Sequence, residues 1–265
     1  MTGSRKHNSH MRRARIYHPD LDHREAMLSD DESHHARDVL RLRPGDEVEL
    51  FDGARRIAEG RVIAASREGV CVQIGAIQTV SARRPPRLSL AVCPPKGDRQ
   101  QLLVEKCTEL GIEAITPLTC VRSVVVPGPS LLNRWRRWAI EACKQCGRAD
   151  LPRIDSPTAF ADLIRHRSPS PTLAIADAGG HDPGVFDKLA GCGSDDILLM
   201  IGPEGGWADE EMTAARAAGI PAVALAEDTL RIETAAIAAA AVFAARRVQE
   251  RSLQRPPPRS DGSHG

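Results

Sequence analysis

The sequence predicts an α/β protein in which a parallel, doubly wound sheet follows a smaller, mainly β domain. From residue 88 onward, strand-like apolar runs alternate with helix-like segments, as in parallel sheets whose strands are joined by crossover helices. Residues 11–82 instead show short alternations of apolar and polar residues, which are typical of antiparallel strands. The chain has 265 residues, enough for two modest domains. We expect these at residues 11–82 and 87–250, with the Arg- and Pro-rich segment 83–86 between them.

The first domain is expected to follow a polar extension, residues 1–10, which has no periodicity and should be flexible. Alternation predicts four strands, at residues 14–17, 47–51, 57–64 and 70–74. Asp52 and Gly53 form a hairpin signal after the second of these strands. Between the first two strands, an acidic segment that begins at Ser29 predicts a helix ending near Leu40.

The second domain is predicted to alternate strands and helices along its whole length. The predicted strands are residues 88–93, 115–119, 172–176, 197–201 and 222–225, and the predicted helices are residues 98–110, 131–146, 209–219 and 233–245. Asp98, with Gln101 three residues later, predicts a capping box for the first helix, and Gly111 is placed to terminate it. The end of the chain is rich in Pro, Gly and Ser, so we expect residues 251–265 to be a disordered tail.

The composition favours a reduced, metal-free protein of the cytoplasm. The seven cysteines are odd in number and no secretory signal precedes them. Cys143 and Cys146 form a single CxxC without a second ligand pair, and the adjacent His34 and His35 point to different helix faces, so neither pair predicts a metal site. No apolar run is long enough to span a membrane. The net charge of +1 does not indicate a nucleic-acid partner, but arginines crowd the N-terminal part, where a solvated surface or RNA contacts would equally explain them.

Two short segments, separated by one helix, carry the candidate chemistry. The buried strand 197–201 runs into GPEGG at residues 202–206, and a later segment, residues 230–235, reads LRIETA. Glycines beyond the carboxyl end of a strand allow backbone N–H groups to approach a ligand closely. No Gly-Lys-Ser/Thr follows, which excludes a P-loop, and the spacing does not match a dinucleotide fingerprint. A small-molecule enzyme of the Rossmann type is therefore disfavoured.

Together, GPEGGW (202–207) and LRIETA (230–235) resemble the two signature loops of the SPOUT-class RNA methyltransferases, in particular the small-subunit ribosomal RNA methyltransferase E family. The resemblance implies that these loops form a deep trefoil knot that holds S-adenosylmethionine in a bent conformation. A run in the first domain, from His34 to Asp46, resembles the PUA-like, RNA-binding β-barrel that precedes the catalytic domain in that family. Two positions depart from the family pattern: Ala226 stands where the family has a glycine, and Ile232 stands where it has a threonine.

The resemblance also implies the residues of the site. Arg231 and Glu204 are the catalytic candidates, since a cation would stabilise the anion that uracil N3 becomes when it loses its proton. An arginine stays protonated in proteins, so Arg231 cannot be the base; its alternative role is a salt bridge to Glu233 or Glu204, and Glu204 could instead cap the next helix. The cofactor-binding candidates are Met200, Ile201, Gly202, Gly205, Gly206, Leu225, Ala226, Leu230 and Ile232. The RNA-binding candidates are Arg12, Arg15, Arg41, Lys96, Arg122 and Arg148, with surface salt bridges as the alternative.

The expected activity is therefore S-adenosylmethionine-dependent methylation of N3 of a specific uridine in 16S ribosomal RNA. The expected partners are that RNA, or the assembled small subunit, and a second copy of the chain in a homodimer. The small residues of segment 235–245 suit a buried dimer interface or an ordinary core equally. The alternatives are a SPOUT enzyme that methylates another nucleotide or a ribose 2′-hydroxyl, and a non-catalytic RNA-binding protein that has kept the fold.

Overall fold

The computed structural model describes residues 13–82, 86–165, 170–180 and 196–253. Contacts between Cα atoms divide the chain into two compact units. Unit 1 contains the described residues up to Ala82 together with Cys143–Leu151, and unit 2 contains those of Arg83–Ala142 and Pro152–Gly265. The division near residue 82 lies where the sequence suggested a junction, whereas the assignment of Cys143–Leu151 to unit 1 was not foreseen.

Unit 1 is built on one five-stranded sheet with the order β1-β3-β4-β5-β2. Its strands are β1 (Ala14–Tyr17), β2 (Glu25–Met27), β3 (Glu47–Phe51), β4 (Arg56–Ser66) and β5 (Gly69–Thr79). Strand β1 pairs with β3 in parallel, and the other pairs are antiparallel. The predicted hairpin joins β3 to β4, and its turn contains Gly53 and Arg55, both with positive φ.

A short helix covers part of this sheet. Helix α1 (Asp30–His34) begins at the predicted cap, because the Ser29 hydroxyl accepts a hydrogen bond from the Glu32 backbone N–H. The helix does not continue to Leu40 in the α conformation, since His35–Val39 forms a π-helical turn. Buried side chains from the sheet and helix, including Ile16, Leu50 and Val72, form the apolar core of unit 1.

Unit 2 alternates strands and helices, as the sequence predicted. The strands are β6 (Leu88–Val92), β7 (Ala114–Thr119), β8 (Arg153–Ile154), β9 (Thr158–Ala159), β10 (Thr172–Ala176), β11 (Ile197–Ile201) and β12 (Ala222–Val223). The helices are α2 (Arg99–Glu109), α3 (Pro129–Cys146, the last four residues of which belong to unit 1), α4 (Phe160–Arg165), α5 (Asp209–Ala217) and α6 (Ile232–Leu253).

The sheet of unit 2 is entirely parallel, with the order β12-β10-β11-β6-β7-β8 and with β9 paired to β7. The chain builds β6, β7 and β8 in one direction and then returns to place β10, β11 and β12 on the other side of β6. The strand order therefore reverses between β6 and β11. Ligands bind open α/β sheets at this kind of switch point, beyond the carboxyl ends of the strands.

Both faces of this sheet are covered by apolar layers. Successive side chains of β11 point to opposite faces, so that Leu199 and Ile201 join one core cluster and Leu198 and Met200 the other. The first cluster includes residues of α2, α3 and α6, and the second includes residues of α4 and α5. Alanines of α6, such as Ala236 and Ala240, lie in the first cluster. Across the described part of the chain, no helix is both long and apolar enough to cross a membrane.

Two local predictions in unit 2 were wrong. The side chain of Asp98 makes no capping bond, and the Gln101 side chain donates to Glu105 at 2.7 Å instead of closing a capping box. Strand β12 is shorter than predicted because the chain leaves the sheet after Val223. The predicted helix terminator is confirmed, since Gly111 follows α2 with φ at +82°.

Candidate active site

A cavity of about 620 Å³ opens beyond the carboxyl ends of the strands of unit 2. Its walls come from the segments that follow β10, β11 and β12 and from the start of α6. The lining residues are Arg99, Ala176, Asp177, Ala178, Ile201, Gly202, Pro203, Glu204, Gly206, Trp207, Val223, Leu225, Ala226, Asp228, Thr229, Leu230, Arg231, Ile232 and Ala235. The two segments singled out in the sequence thus face each other across one cavity, whose size is ordinary for a small-molecule site.

The first wall depends on close packing between Gly202 and Trp207. A Cβ atom placed on Gly202 would lie 2.7 Å from Cε2 of the indole, so only glycine fits there without displacing the ring. The indole Nε1 donates a hydrogen bond of 2.9 Å to the carbonyl of Ala176, and the ring lies 5.2 Å from that of Phe160. Trp207 therefore joins the ends of β10 and β11 and fixes the path of the loop between β11 and α5.

Two further side chains hold this loop, Arg122 from the segment after β7 and Glu211 from α5. Nη1 of Arg122 donates to the carbonyls of Gly205 and Trp207, at 3.0 and 3.1 Å. The buried carboxylate of Glu211 accepts from the backbone N–H groups of Ala208 and Val121, each at 2.9 Å. Glu211 thus caps α5. The alternative in which Glu204 caps this helix was wrong.

Two arginines line the cavity and differ in their partners. Arg99 forms ion pairs with Glu204 and with Glu233, the latter over 3.9 Å. The side chain of Arg231 is exposed and lines the cavity, and it has no hydrogen-bond or ion-pair partner among the residues that the structure describes. The suggested salt bridge from Arg231 to Glu204 or Glu233 is therefore absent from this part of the chain, and Arg99 occupies both carboxylates instead.

Most of the expected cofactor residues surround the cavity. Ile201, Gly202, Gly206, Leu225, Ala226, Leu230 and Ile232 all line it. Met200 does not, because strand alternation turns its side chain into the apolar cluster on the other face of the sheet. Gly205 does not either, because it lies against the side chain of Arg122. Ala226 is not among the described residues with positive φ, which are Arg41 and Arg55 apart from glycines, so it needs no glycine-like backbone.

Two of the expected RNA contacts are corrected by their burial in unit 1. The Arg15 guanidinium pairs with Glu49 at 2.6 Å and donates to the carbonyls of Cys143 and Arg148. The Arg148 side chain is also buried and pairs with Asp150 at 3.0 Å. Buried guanidiniums that are held in this way cannot reach a phosphate. Arg15 instead joins Cys143–Leu151 to the rest of unit 1, whereas Arg148 pairs with Asp150 inside that segment.

The other RNA candidates differ in what the structure describes. Arg41, Lys96 and Arg122 are exposed, and Lys96 lines a small recess that shares Glu204 and Ile232 with the main cavity. Arg122 is already engaged with the loop after β11. Arg12 lies outside the described residues.

Comparisons with known proteins assign this chain to a family. The sequence profile of a family described as RNA methyltransferase domain matches residues 82–244, and that of the RNA methyltransferase PUA domain matches residues 28–75. The chain belongs to the RNA methyltransferase family. These matches confirm the resemblance and the PUA-like N-terminal domain that were inferred from the sequence.

Relatives of this RNA methyltransferase agree with the assignment. Two of them are named ribosomal RNA small subunit methyltransferase E. The one from Synechocystis is 31% identical over 207 residues, covering 76% of this chain and 67% of the relative. The one from Mycobacterium bovis is 31% identical over 220 residues, covering 81% and 84%. A crystal structure of the ribosomal RNA small subunit methyltransferase E from Neisseria gonorrhoeae, bound to S-adenosyl methionine, is 29% identical with a TM-score of 0.78 and covers 88% of this chain and 98% of that one.

Sequence reasoning missed several residues that line the cavity of the RNA methyltransferase. Asp177 follows β10 directly, so the rule that ligands bind beyond strand carboxyl ends could have found it. Trp207 was noted only as part of a motif. Arg99 carried no local signal, because its partner Glu204 lies 105 residues away in the sequence.

The cysteines of the RNA methyltransferase show no ligand arrangement in the described residues. No group of three or more His, Cys, Asp or Glu side chains that could hold a metal occurs within them. Cys143 and Cys146 both lie in α3, and burial raises the pKa of the Cys143 thiol to about 12. Burial likewise raises the pKa of Cys107, in α2, to about 12. These two thiols stay protonated at neutral pH.

Proposed function

We propose that this protein transfers a methyl group from S-adenosylmethionine to N3 of a U1498-type uridine in 16S ribosomal RNA. The observation that carries the proposal is the Arg231 guanidinium, which has no partner among the described residues and lines a cavity that is built by both signature loops. The names of the relatives support the RNA substrate, and the ligand of the Neisseria gonorrhoeae structure supports the cofactor.

The walls of the cavity suit S-adenosylmethionine. Apolar side chains of Ile201, Leu225, Leu230 and Ile232 provide surfaces for an adenine ring and a thioether chain. Gly206 has φ at +71°, and the space where a Cβ would lie is open, so its backbone is accessible to a ligand. When bound, this cofactor supplies an activated methyl group on a sulfonium centre. We propose that these residues hold it and thereby align the acceptor base.

The chemistry left to the protein is control of charge at the acceptor. Uracil N3 carries a proton at neutral pH and becomes a good nucleophile only as that proton leaves. We propose that Arg231 stabilises the resulting negative charge, since a cation that lines a partly enclosed site is effective in this role. Glu204 is the second catalytic candidate, because its carboxylate lines the same cavity and is held there by Arg99.

RNA binding is proposed to involve the exposed basic residues near the cavity and on unit 1. Lys96 and Arg122 lie beside the cavity, and Arg41 is exposed on unit 1, where phosphate groups could be contacted. Arg12 stays a candidate. The Watson–Crick edge of uracil is hidden in a duplex, so the target uridine must be unpaired or extruded.

Several finer features of the family are also proposed for this chain. We propose domains at residues 11–82 and 87–250, a trefoil knot around the cavity, a homodimer and a cytoplasmic location. The knot is supported by the path of the chain, because β12 lies at the sheet edge beyond β10, whereas α6 packs against α2 and β6 on the other side of β11. The segment between β12 and α6 must therefore pass back across the site. Sedimentation would test the dimer.

The deciding experiment is a methylation assay with labelled S-adenosylmethionine and separately purified ribosomal subunits that lack the modification. We expect label in small-subunit RNA, recovered as 3-methyluridine after digestion to nucleosides. Label in another nucleoside or in a 2′-O-methyl group would replace the proposed target by the alternative one. Cofactor binding without transfer would indicate a different RNA or assembly state as the substrate, whereas the loss of both transfer and cofactor binding would favour the non-catalytic RNA-binding alternative.

A further inference from the structure

Three charged side chains from distant segments meet at the rim of the cavity. Arg99 is the first residue of α2, Glu204 lies in the loop after β11, and Glu233 is the second residue of α6. One Nη1 atom of Arg99 serves both carboxylates. The contact links the two signature loops through a residue that belongs to neither of them.

The two glutamates differ in burial, and the more buried one depends more strongly on Arg99 to compensate its charge. The Glu233 side chain is only 6% exposed, and its Oε2 has no hydrogen-bond partner among the described residues, so Arg99 at 3.9 Å is the cation that compensates its charge. Glu204 is 40% exposed and lies at the cavity mouth. An ionised carboxylate with so little water around it strongly attracts a free cation.

Arg231 is the other arginine that lines the cavity near these two carboxylates. It lies two residues before Glu233 and lines the same cavity as Glu204 and Arg99. If Arg99 did not engage the two carboxylates, they would compete with the substrate for the Arg231 guanidinium. In the part of the chain that the structure describes, Arg99 instead pairs with both carboxylates and the Arg231 guanidinium has no partner.

We propose that Arg99 is a positioning residue that neutralises Glu204 and Glu233 and thereby keeps Arg231 free for the negative charge of the acceptor base. The inference rests on the proposed function, because it assigns Arg231 its role in methyl transfer. It predicts that Arg99 acts through these glutamates and Arg231, and that it does not touch the RNA itself.

The test measures how readily the Arg231 guanidinium reacts with a reagent. Phenylglyoxal modifies free guanidinium groups, and peptide mass analysis measures the rate at which Arg231 is labelled. In Arg99→Gln we expect labelling of Arg231 to slow at least about threefold, because the side chain moves onto the carboxylates. Adding Glu204→Gln should restore much of the rate, because one competing charge is gone. Unchanged labelling in Arg99→Gln would overturn the proposal.

Kinetics distinguish positioning from direct RNA contact. We expect Arg99→Gln to lower kcat about tenfold while KM for the RNA and the affinity for S-adenosylmethionine change less than about threefold. In the double variant with Glu204→Gln, the losses should not add, since both residues act as one unit. A raised KM for RNA with an unchanged kcat would show that Arg99 binds RNA and would overturn the proposal.

A matched control comes from the opposite end of the same sheet. Arg87 precedes β6 and also pairs with two carboxylates, those of Asp196 and Glu113. Arg87→Gln should leave Arg231 labelling and kcat unchanged even where it lowers stability. If Arg99→Gln fails to fold, Arg99→Met also removes the charge and should slow labelling to a similar extent, and no slowing there would also overturn the proposal. Arg99→Lys keeps the positive charge and should label Arg231 at nearly the wild-type rate. Failure of the proposed function would show as a wild-type protein without RNA methylation, whereas the labelling rates still decide whether Arg99 frees Arg231.

Discussion

Replacing Gly202 by alanine should damage both the stability of unit 2 and the cofactor site. The added Cβ would lie 2.7, 3.0 and 3.1 Å from three ring atoms of Trp207, whereas carbon atoms pack best at about 3.5 Å or more. The ring must therefore move by about 0.8 Å. It cannot do so freely, since it is hydrogen-bonded to Ala176 and packed against Phe160.

The expected cost is that of overpacking a core, about 1–3 kcal/mol of the free energy of unfolding. For a chain of this size that corresponds to a Tm lowered by roughly 2–10 °C. Because Gly202 and Trp207 both line the cavity, we also expect the affinity for S-adenosylmethionine to fall about tenfold, which is about 1.4 kcal/mol. Thermal unfolding followed by circular dichroism and isothermal titration with the cofactor measure the two effects.

Gly205→Ala is the matched control in the same loop. The nearest atoms to its added Cβ belong to Arg122, at 3.6 and 3.7 Å, which is ordinary van der Waals contact. We expect its Tm to stay within about 1 °C of wild type, since a surface change that creates no clash costs little. If Gly202→Ala matched wild type in both measurements, or if Gly205→Ala were equally harmful, the account of the Trp207 packing would be refuted.

Three further predictions concern single side chains. Arg231→Ala should lower methyl transfer about a hundredfold while leaving the Tm unchanged, because the guanidinium supports the reaction and has no partner among the described residues; full activity would remove it from the mechanism. Arg15→Ala should lower the free energy of unfolding in urea by about 2–3 kcal/mol, because it removes the hydrogen-bond partner of two carbonyls and of Glu49. Arg13→Ala, at an exposed ion pair, should change it little. Equal effects of the two substitutions would contradict the burial of Arg15. Burial raises the pKa of Cys107 to about 12 in the folded state, so between pH 9 and 12 the thiol loses its proton only in the unfolded state. The free energy of unfolding should therefore fall by about 1.4 kcal/mol per pH unit in that range. Cys107→Ala should reduce this slope in unfolding measured from pH 8 to 11.

The strands of the sheet could be predicted where burial on both faces makes a short apolar run unmistakable. Strands β10 and β11 have the predicted bounds because, apart from Thr172, every residue within them is apolar. Strand β12 is shorter than its apolar segment, since it pairs only with β10 at the edge of the sheet and its continuation forms the cavity wall. The π-helical turn His35–Val39 could not be predicted, because it depends on tertiary packing and has no residue signature.

Only those parts of the site that are formed by continuous segments of the sequence could be predicted. The glycine loop and LRIETA were identifiable because each is a continuous segment, and the structure brings both to one cavity. Which arginine pairs with which glutamate depends on the strand order, since the reversal between β6 and β11 places the start of α2 beside the loop after β11. Arg15 and Arg148 show the converse error, because a cluster of arginines in the sequence does not reveal which of them are buried.

The departure of Ile232 from the family pattern is explained by its surroundings. The side chain is 5% exposed and belongs to the apolar cluster that includes Val92 and Leu103, although it also forms part of the cavity wall. A threonine here would bring a hydroxyl that needs a hydrogen-bond partner in a mostly apolar environment, whereas isoleucine needs none and fills more of the space. The exchange therefore favours packing of the first turn of α6. Because Arg231 directly precedes this buried residue, the packing of the start of α6 places its guanidinium at the cavity, where it has no ion-pair partner among the described residues.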